Sequence, residues 1–157
     1  MKNKITPCKT IHYGFNKYLY NYDYNTLVAD VGMNEYYIRK NSEILITYGI
    51  ITCCGMIVCD PTNVMLAHLA PDVTKEDVSL LLDENNFDSK AKMYLFPGFA
   101  SFVDYESIID HVGNQLDDLC CYRYEGKYGV IYVDNDILVM GNAKEIERRF
   151  KLDIRYF

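Results

Sequence analysis

The sequence predicts a single domain of the α+β class, and three observations lead to this prediction. Its 157 residues fit one domain with a sizeable apolar core. Several short apolar runs, rich in β-branched and aromatic residues, are separated by turn residues, which is typical of β-strands. Two further stretches place apolar residues at helical spacing, and strands with helices inserted between them indicate a layered α+β domain.

The first half of the chain predicts an irregular arm followed by strands. Residues Tyr13–Asn25 are rich in tyrosine without a clear period, so we separate a Tyr-rich N-terminal arm, residues 1–25, from the body of the domain, residues 26–157. Five strands are expected next, in the segments TLVADVG, EYYIRK, EILITYG, CGMIVCD and VMLAHLA. Asp60-Pro61-Thr62-Asn63 has proline at the second position of a type I turn, which predicts a hairpin between the last two strands.

The second half predicts helices and further strands. Thr74 followed by Asp77 indicates a capping box at the start of a helix. The buried face of this helix is expected to comprise Val78, Leu81 and Leu82. A strand over KMYLF and a second helix from about Tyr105 to Leu116 are expected next. The segment CCYRYEGKYGVIYVDNDILVMG predicts two or three antiparallel strands, and AKEIERRF predicts a short closing helix before the strand-like KLDIRYF.

The composition argues against some classes of function. A formal net charge of −6 disfavours a nucleic-acid binder, which would carry a basic patch. No apolar run reaches the length of a membrane span, so membrane insertion is not expected. The N-terminal residues lack the apolar centre of a secretory signal. A cytoplasmic location is the default expectation, and secretion of an effector by a specialised route without such a signal stays open.

Three cysteines and one histidine cluster around the predicted hairpin: Cys53, Cys54, Cys59 and His68. In a cytosolic chain of this size the six cysteines are expected to be free thiols. Cys53 starts its strand and His68 lies near the end of the partner strand, so both fall at the end of the hairpin away from its turn. A side chain at a strand end is held rigidly and still reaches solvent. An imidazole within hydrogen-bond reach takes the proton from a thiol and leaves the reactive thiolate.

Spacing alone leaves three interpretations of this cluster open. The first is a catalytic Cys–His pair, and the second is a buried cysteine with a hydrogen-bonded histidine. The third is a zinc site formed by the three cysteines and the histidine. Zinc is disfavoured because Cys53 and Cys54 point to opposite faces of a strand and because no Cys-x-x-Cys motif occurs.

The same region resembles the chemoreceptor glutamine deamidase family, CheD. In that family a Val-Gly-Met segment and an apolar strand lead through a Thr-x-Gly turn to the nucleophilic cysteine, and a strand ending in Asp-Pro follows. The matching residues are Val31-Gly32-Met33, Leu45-Ile46-Thr47, Gly49, Cys53 and Asp60-Pro61. KAKMYLFPGFA and YEGKYGVIYVDND are similar to two later strands of the family, so the likeness covers about residues 27–140. The cytotoxic necrotising factor toxins are distant relatives with the same Cys–His chemistry.

The resemblance implies a fold, an activity and a set of site residues. The implied fold is a layered α/β/β sandwich of mostly antiparallel strands with two main helices. The implied activity is that of a protein-glutamine deamidase without cofactor or metal, whose partner is a protein substrate that carries the target glutamine. Cys53 would form a thioester, His68 would act as acid and base, and Thr47 would orient the imidazole. Thr52 and Cys54 would help to bind the oxyanion.

Four differences from the family leave the target of the reaction open. Ile51-Thr52 stands where the family carries Gly-Ser, and Pro97-Gly98 replaces a pair of glycines. In addition, the glycine expected before His68 is absent, and Val130 replaces an arginine. The target glutamine belongs either to a chemoreceptor, as in bacterial chemotaxis, or to another protein that an effector modifies. A non-catalytic CheD-like module that docks a signalling protein and a different thiol hydrolase are the alternative functions.

Overall fold

A computed structural model gives the fold of residues 3–13, 25–116, 118–121, 129–135, 137–141 and 146–152. Within these ranges the chain forms two α-helices and two six-stranded sheets. Most neighbouring strands are antiparallel, and the helices lie on one side of the pair of sheets. The α+β class predicted from the sequence is therefore confirmed.

The first sheet contains the predicted hairpin. In spatial order its strands are β1 (Thr6–Pro7), β4 (Glu35–Ile38), β7 (Val64–Leu69), β6 (Cys54–Cys59), β8 (Lys92–Pro97) and β9 (Asp118–Cys121). The pairs β1–β4 and β8–β9 are parallel and the others antiparallel. In the turn between β6 and β7, the N–H of Asp60 donates to the carbonyl of Asn63 at 3.0 Å. The Asp60 carboxylate accepts from the N–H groups of Thr62 and Asn63, so the predicted hairpin is confirmed.

The second sheet carries β5 at its centre. In spatial order its strands are β12 (Ile146–Lys151), β11 (Ile137–Gly141), β10 (Val130–Asp134), β5 (Ile44–Tyr48), β3 (Leu27–Asp30) and β2 (Ile11–Tyr13). Only the pair β3–β5 is parallel among these described strands. Thr47 of β5 lies opposite Ile131 of β10. Directly opposite residues point to the same face, and Ile131 belongs to the core between the sheets, so Thr47 also faces the first sheet.

Alternation along β6 shows how the layers are arranged. Met56 and Val58 join an apolar core shared with the helices, whereas Ile57 and Cys59 join a second core shared with the second sheet. Successive side chains of a strand point to opposite faces, so the first sheet has the helices on one face and the second sheet on the other. The order of layers is therefore helices, first sheet and second sheet, an α/β/β sandwich.

Both helices begin at polar caps. α1 spans Lys75–Glu84, and Thr74 and Asp77 form the predicted capping box. α2 spans Tyr105–Val112 and ends before the predicted Leu116, because a glycine follows Val112. Neither helix, within the described part of the chain, has the length and apolar character needed to cross a membrane.

The closing helix predicted from AKEIERRF is wrong over the residues that the structure describes. Ile146–Lys151 form β12, which pairs antiparallel with β11, while residues 142–145 lie outside the described ranges. Because β11 offers backbone donors and acceptors on its outer edge, pairing with the sheet overrides the local helix preference. The antiparallel strands predicted around VIYVDNDILVMG are confirmed as β10 and β11, but β9 joins the first sheet, parallel to β8.

The N-terminal region contributes one short strand to each sheet. β1 pairs with β4, and β2 pairs with β3. Residues 14–24, which include most of the tyrosine-rich segment, lie outside the described ranges, as do residues 153–157 of the strand-like end. The boundary between arm and domain at residue 25 stays a prediction.

Candidate active site

The hairpin places Cys53 and His68 at neighbouring positions. Gly55 of β6 pairs directly with His68 of β7, and Cys53 lies two residues before Gly55, immediately ahead of the strand. Diagonal neighbours of this kind have Cα atoms about 7–8 Å apart. Gly55 faces the second sheet, since a Cβ atom there would lie 2.6 Å from Cδ1 of Ile131. Cys53 comes directly before the first residue of β6, and the alternation along this strand predicts its side chain on the same side as Gly55.

Thr47 holds the imidazole of His68 from the opposite sheet. The distance between Thr47 Oγ1 and His68 Nδ1 is 2.7 Å, and Thr47 Oγ1 donates to the carbonyl oxygen of Val31 at 2.8 Å. Because the single hydroxyl proton is directed to Val31, Oγ1 accepts a hydrogen bond from Nδ1–H. This arrangement fixes the tautomer of His68 in which Nε2 carries a lone pair and no proton.

Nε2 of His68 is the unpaired atom of the site. It is buried and has no hydrogen-bond partner among the described residues. Burial lowers the pKa of His68 from 6.5 to about 4, because the surroundings disfavour the charged imidazolium. The imidazole is therefore neutral at physiological pH, and its Nε2 lone pair is available to accept a proton.

The thiol of Cys53 is covered and not open to solvent. Cys53 is 4% exposed and His68 5%. Cys53 Sγ lies 3.9 Å from Sδ of Met33 and 4.0 Å from Oγ1 of Thr52. Burial raises the pKa of the Cys53 thiol, and the contact with the Thr52 hydroxyl opposes this only in part. The expectation that this end of the hairpin reaches solvent is wrong, because an exposed methionine on the turn after β3 lies over the thiol.

A second loop clamps the segment that carries Cys53. Three backbone hydrogen bonds join the two loops: Gly98 N–H to Cys53 O at 2.9 Å, Ala100 N–H to Ile51 O at 3.1 Å, and Phe102 N–H to Thr52 O at 2.9 Å. A Cβ atom at Gly98 would lie 2.2 Å from the Ile51 carbonyl oxygen, so this close approach requires glycine. The N–H groups of Thr52 and Cys53 have no acceptor in the described ranges. They are therefore candidates to bind an oxyanion.

The other two site residues expected from the resemblance lie on different sides of this segment. Thr52 is partly buried, with its hydroxyl beside the Cys53 thiol. Cys54 is fully buried in the core shared with the helices, and its Sγ contacts the carbonyl oxygen of Gly55 at 3.4 Å. The Cys54 side chain therefore does not line the layer between the sheets, and any part of Cys54 in oxyanion binding is confined to its backbone.

The cysteines do not gather around a metal position in the part of the chain that the structure describes. No group of three or more His, Cys, Asp or Glu side chains in these ranges is placed to hold a metal ion. Cys54 faces the helices, while Cys59 lies at the far end of β6 in the core between the sheets. Among the cysteines whose side chains the structure describes, Cys8, Cys53, Cys54 and Cys59 are free thiols.

Three residues contribute to the site in ways that the sequence does not reveal. The Val31 carbonyl accepts a hydrogen bond from the Thr47 hydroxyl, the Met33 sulfur contacts the thiol, and Gly98 allows the close approach of the clamping loop. All three belong to motifs visible in the sequence, Val-Gly-Met before Asn34 and Pro-Gly after a strand. The asparagine at position 34 was the available signal for a tight turn beside the site, because asparagine tolerates a positive φ better than most residues; in the structure its φ is 58°.

Neither a scan against protein-family models nor a search of curated proteins finds a match to this chain.

Proposed function

We propose that this protein is a cofactor-free protein-glutamine deamidase of the CheD type, with Cys53 as nucleophile and His68 as acid and base. The observation that carries the proposal is the buried, unpaired Nε2 of His68 at a position diagonal to the Cys53 thiol. A buried polar group without a partner costs about 1–3 kcal/mol. Folded proteins retain few such groups, and a functional role is one established reason for keeping one.

The first half of the proposed reaction starts from a neutral thiol and a neutral imidazole. Rotation of the Cys53 side chain toward His68 lets Nε2 take the thiol proton while the sulfur attacks the carbon of the glutamine carboxamide. The N–H groups of Thr52 and Cys53 bind the resulting oxyanion, and one such donor contributes about 3–4 kcal/mol. The C–N bond then breaks, His68 gives its proton to the leaving nitrogen, and ammonia departs from a thioester.

The second half regenerates the thiol. His68 takes a proton from water, and the hydroxide adds to the thioester carbon. The C–S bond breaks, the proton on Nε2 goes to the sulfur, and the glutamate side chain is released. Thr47 accepts from Nδ1–H throughout, so it keeps the ring in one tautomer and stabilises the imidazolium whenever it forms.

The proposed substrate is a glutamine side chain on another protein. Both targets suggested by the resemblance, a chemoreceptor and a protein modified by an effector, are compatible with the same chemistry. A cytoplasmic location remains the prediction from the sequence, and no step of the proposed reaction uses a cofactor or a metal.

One observation favours a second candidate function, the non-catalytic CheD-like module that docks a signalling protein. Met33 covers the Cys53 thiol, and burial keeps its pKa high, so the resting thiol is neither accessible nor ionised. A docking module would release no ammonia from any substrate and would leave the mass of its partner unchanged.

Replacement of Cys53 tests the proposed function directly. The probe is a synthetic peptide with a central glutamine flanked by leucines, followed by ammonia release and by mass spectrometry, which registers deamidation as about +1 Da. We expect Cys53→Ala to lower the rate by at least about 10⁴-fold, as for loss of a nucleophile in a catalytic unit. Cys8→Ser is the matched control, because Cys8 lies in the N-terminal region, and it should keep its rate. Ammonia release by Cys53→Ala at the unaltered rate would contradict the proposal.

A further inference from the structure

Four exposed apolar residues lie on the turn and the two loops next to Cys53. They are Met33, Ile51, Phe99 and Phe102, and their exposed fractions run from 49% for Ile51 to 74% for Phe102. We call this set the apolar rim. Single exposed apolar residues are ordinary on a protein surface, but several on adjoining loops indicate an interaction surface.

The backbone beneath the rim is fixed to the site. Ile51, Phe99 and Phe102 lie on the two loops that the three backbone hydrogen bonds join around Cys53. Met33 is held from the other side, because its neighbour Asn34 donates to the carbonyl of His68 at 2.7 Å and accepts from the N–H of Ala70 at 3.1 Å. The rim is therefore anchored both to the segment of the nucleophile and to the strand of the base.

Met33 differs from the other rim residues because it also covers the nucleophile. Its Sδ lies 3.9 Å from Cys53 Sγ, although Met33 is 63% exposed. A methionine side chain has three rotatable bonds and adapts easily to new neighbours. Because the backbone at Asn34 is held by hydrogen bonds, uncovering the thiol requires a rotation of the Met33 side chain and no movement of its loop.

We propose that the apolar rim is the docking surface for the protein substrate, that it selects glutamines flanked by apolar side chains, and that docking displaces Met33 from the Cys53 thiol. This inference rests on the proposed deamidase function. A glutamine side chain that reaches the thiol between the sheets brings the residues on either side of it onto the rim. Those neighbours are then buried against side chains that offer no hydrogen bonds, which favours apolar residues and penalises charged ones.

Alkylation of Cys53 tests the role of Met33 without any substrate. Iodoacetamide reacts with the thiolate of an accessible cysteine, and Cys8, which is partly exposed, serves as the internal reference in the same molecule. We expect Met33→Ala to raise the alkylation rate of Cys53 by about tenfold relative to Cys8, because truncation removes the cover. Met33→Leu retains an apolar cover and should keep the slow rate. An unchanged Cys53 rate in Met33→Ala overturns the covering role.

Two peptides of equal length test the selectivity of the rim. One carries the central glutamine between leucines and the other carries it between serines. We expect kcat/KM for ammonia release to be about tenfold higher for the leucine-flanked peptide, a typical gain from added apolar contact. Phe102→Ser should remove most of this preference through a higher KM. Ile11→Ser, which changes an exposed apolar residue at the edge of the second sheet, should retain it.

The outcomes separate the two proposals. Equal rates for the two peptides overturn the docking surface and leave the deamidase function standing. Ammonia from neither peptide overturns the proposed function and the docking surface together, whatever the alkylation of Cys53 shows about Met33. A leucine preference that survives in Phe102→Ser assigns the selectivity to another surface and contradicts the inference.

Discussion

Two buried polar clusters lie at opposite ends of β5, and they differ in how completely their hydrogen bonds are made. Just before the strand, Glu43 is 1% exposed and accepts from the Tyr37 hydroxyl at 2.7 Å and from the N–H of Asn41 at 2.7 Å. Burial opposes ionisation of Glu43, but these donors outweigh it, so the pKa of its carboxyl lies below the ordinary value. Near the end of the strand, Thr47 pairs one nitrogen of His68 and leaves the other without a partner.

Arg39 completes the first cluster and has no counterpart in the second. It donates to the carbonyl oxygens of Glu43 and Val133 at 3.0 Å each, and also to the carbonyl oxygen of Asn135. Saturated buried networks of this kind hold a fold in one arrangement. The cluster around His68 instead lacks one partner, which a thiol proton supplies during the proposed reaction. Completeness of hydrogen bonding thus separates a structural cluster from a candidate reactive one in the same layer.

Lowering the pH should reduce the free energy of unfolding mainly through the cluster around His68, whose hydrogen bonds are incomplete. Because burial lowers the pKa of His68 from 6.5 to about 4, the folded protein binds fewer protons than the unfolded chain between these two pH values. Stability from this residue is therefore complete above about pH 6.5 and is lost as the pH falls toward about 4. We expect His68 to account for a loss of about 2.5 kcal/mol in the free energy of unfolding between about pH 7.5 and about pH 4.5.

His68→Gln isolates this contribution, because glutamine keeps a hydrogen-bonding side chain but does not titrate. Urea unfolding of both proteins at the two pH values gives the difference. The wild-type protein should lose more stability on acidification than His68→Gln. Parallel losses in the two proteins would mean that His68 is not held neutral by burial.

Replacement of Thr47, which orients the imidazole of His68, should have the next largest effect. Thr47→Val removes the hydroxyl that selects the Nδ1–H tautomer of His68. The lost interaction is one hydrogen bond to a ring that becomes charged during the proposed reaction, so kcat/KM for ammonia release should fall about thirtyfold, equivalent to about 2 kcal/mol. Thr47→Ser keeps the hydroxyl and should restore most of the rate. A valine variant that keeps the wild-type rate would show that the Thr47 hydroxyl does not orient the imidazole.

Tyr37 provides the matching change in the complete cluster. Burial and the neighbouring Glu43 both raise the pKa of Tyr37, so its hydroxyl stays protonated as a donor. Tyr37→Phe leaves the buried Glu43 carboxylate with one donor fewer and should lower the free energy of unfolding by about 1.5 kcal/mol, with ammonia release unchanged. Tyr36→Phe is the control on the same strand, since Tyr36 packs toward the helices. Loss of activity in Tyr37→Phe would remove the distinction between the two clusters.

Local signals were sufficient to predict much of the fold. The Asp60 turn, the capping box of Thr74 and the alternating strands depend on residues close together in the chain, and the structure confirms them. The closing helix failed because residues 146–151 pair with β11, a contact that helix propensity does not include. The turn also determines the register of the hairpin, so the neighbouring positions of Cys53 and His68 could be predicted from the sequence.

The remaining features of the site depend on contacts between distant segments. The hydrogen bond from Thr47 to Val31 crosses between strands, and the Met33 cover and the clamp at Gly98 join loops far apart in the chain. Alternation along a strand gives the side of the sheet on which a side chain lies, but it does not give what lies over it. For that reason the sequence predicts a thiol open to solvent where the structure has a covered one.

The protonation state of His68 in solution is the most direct test of the distinction between the two clusters. Proton–nitrogen NMR of histidine-labelled protein reports which ring nitrogen carries the proton and follows it with pH. For the wild-type protein near neutral pH we expect a proton on Nδ1, none on Nε2, and titration of the ring close to pH 4, in keeping with a pKa lowered to about 4. A proton on Nε2, or a pKa at or above the ordinary 6.5, would contradict the role of Nε2 as the base for Cys53.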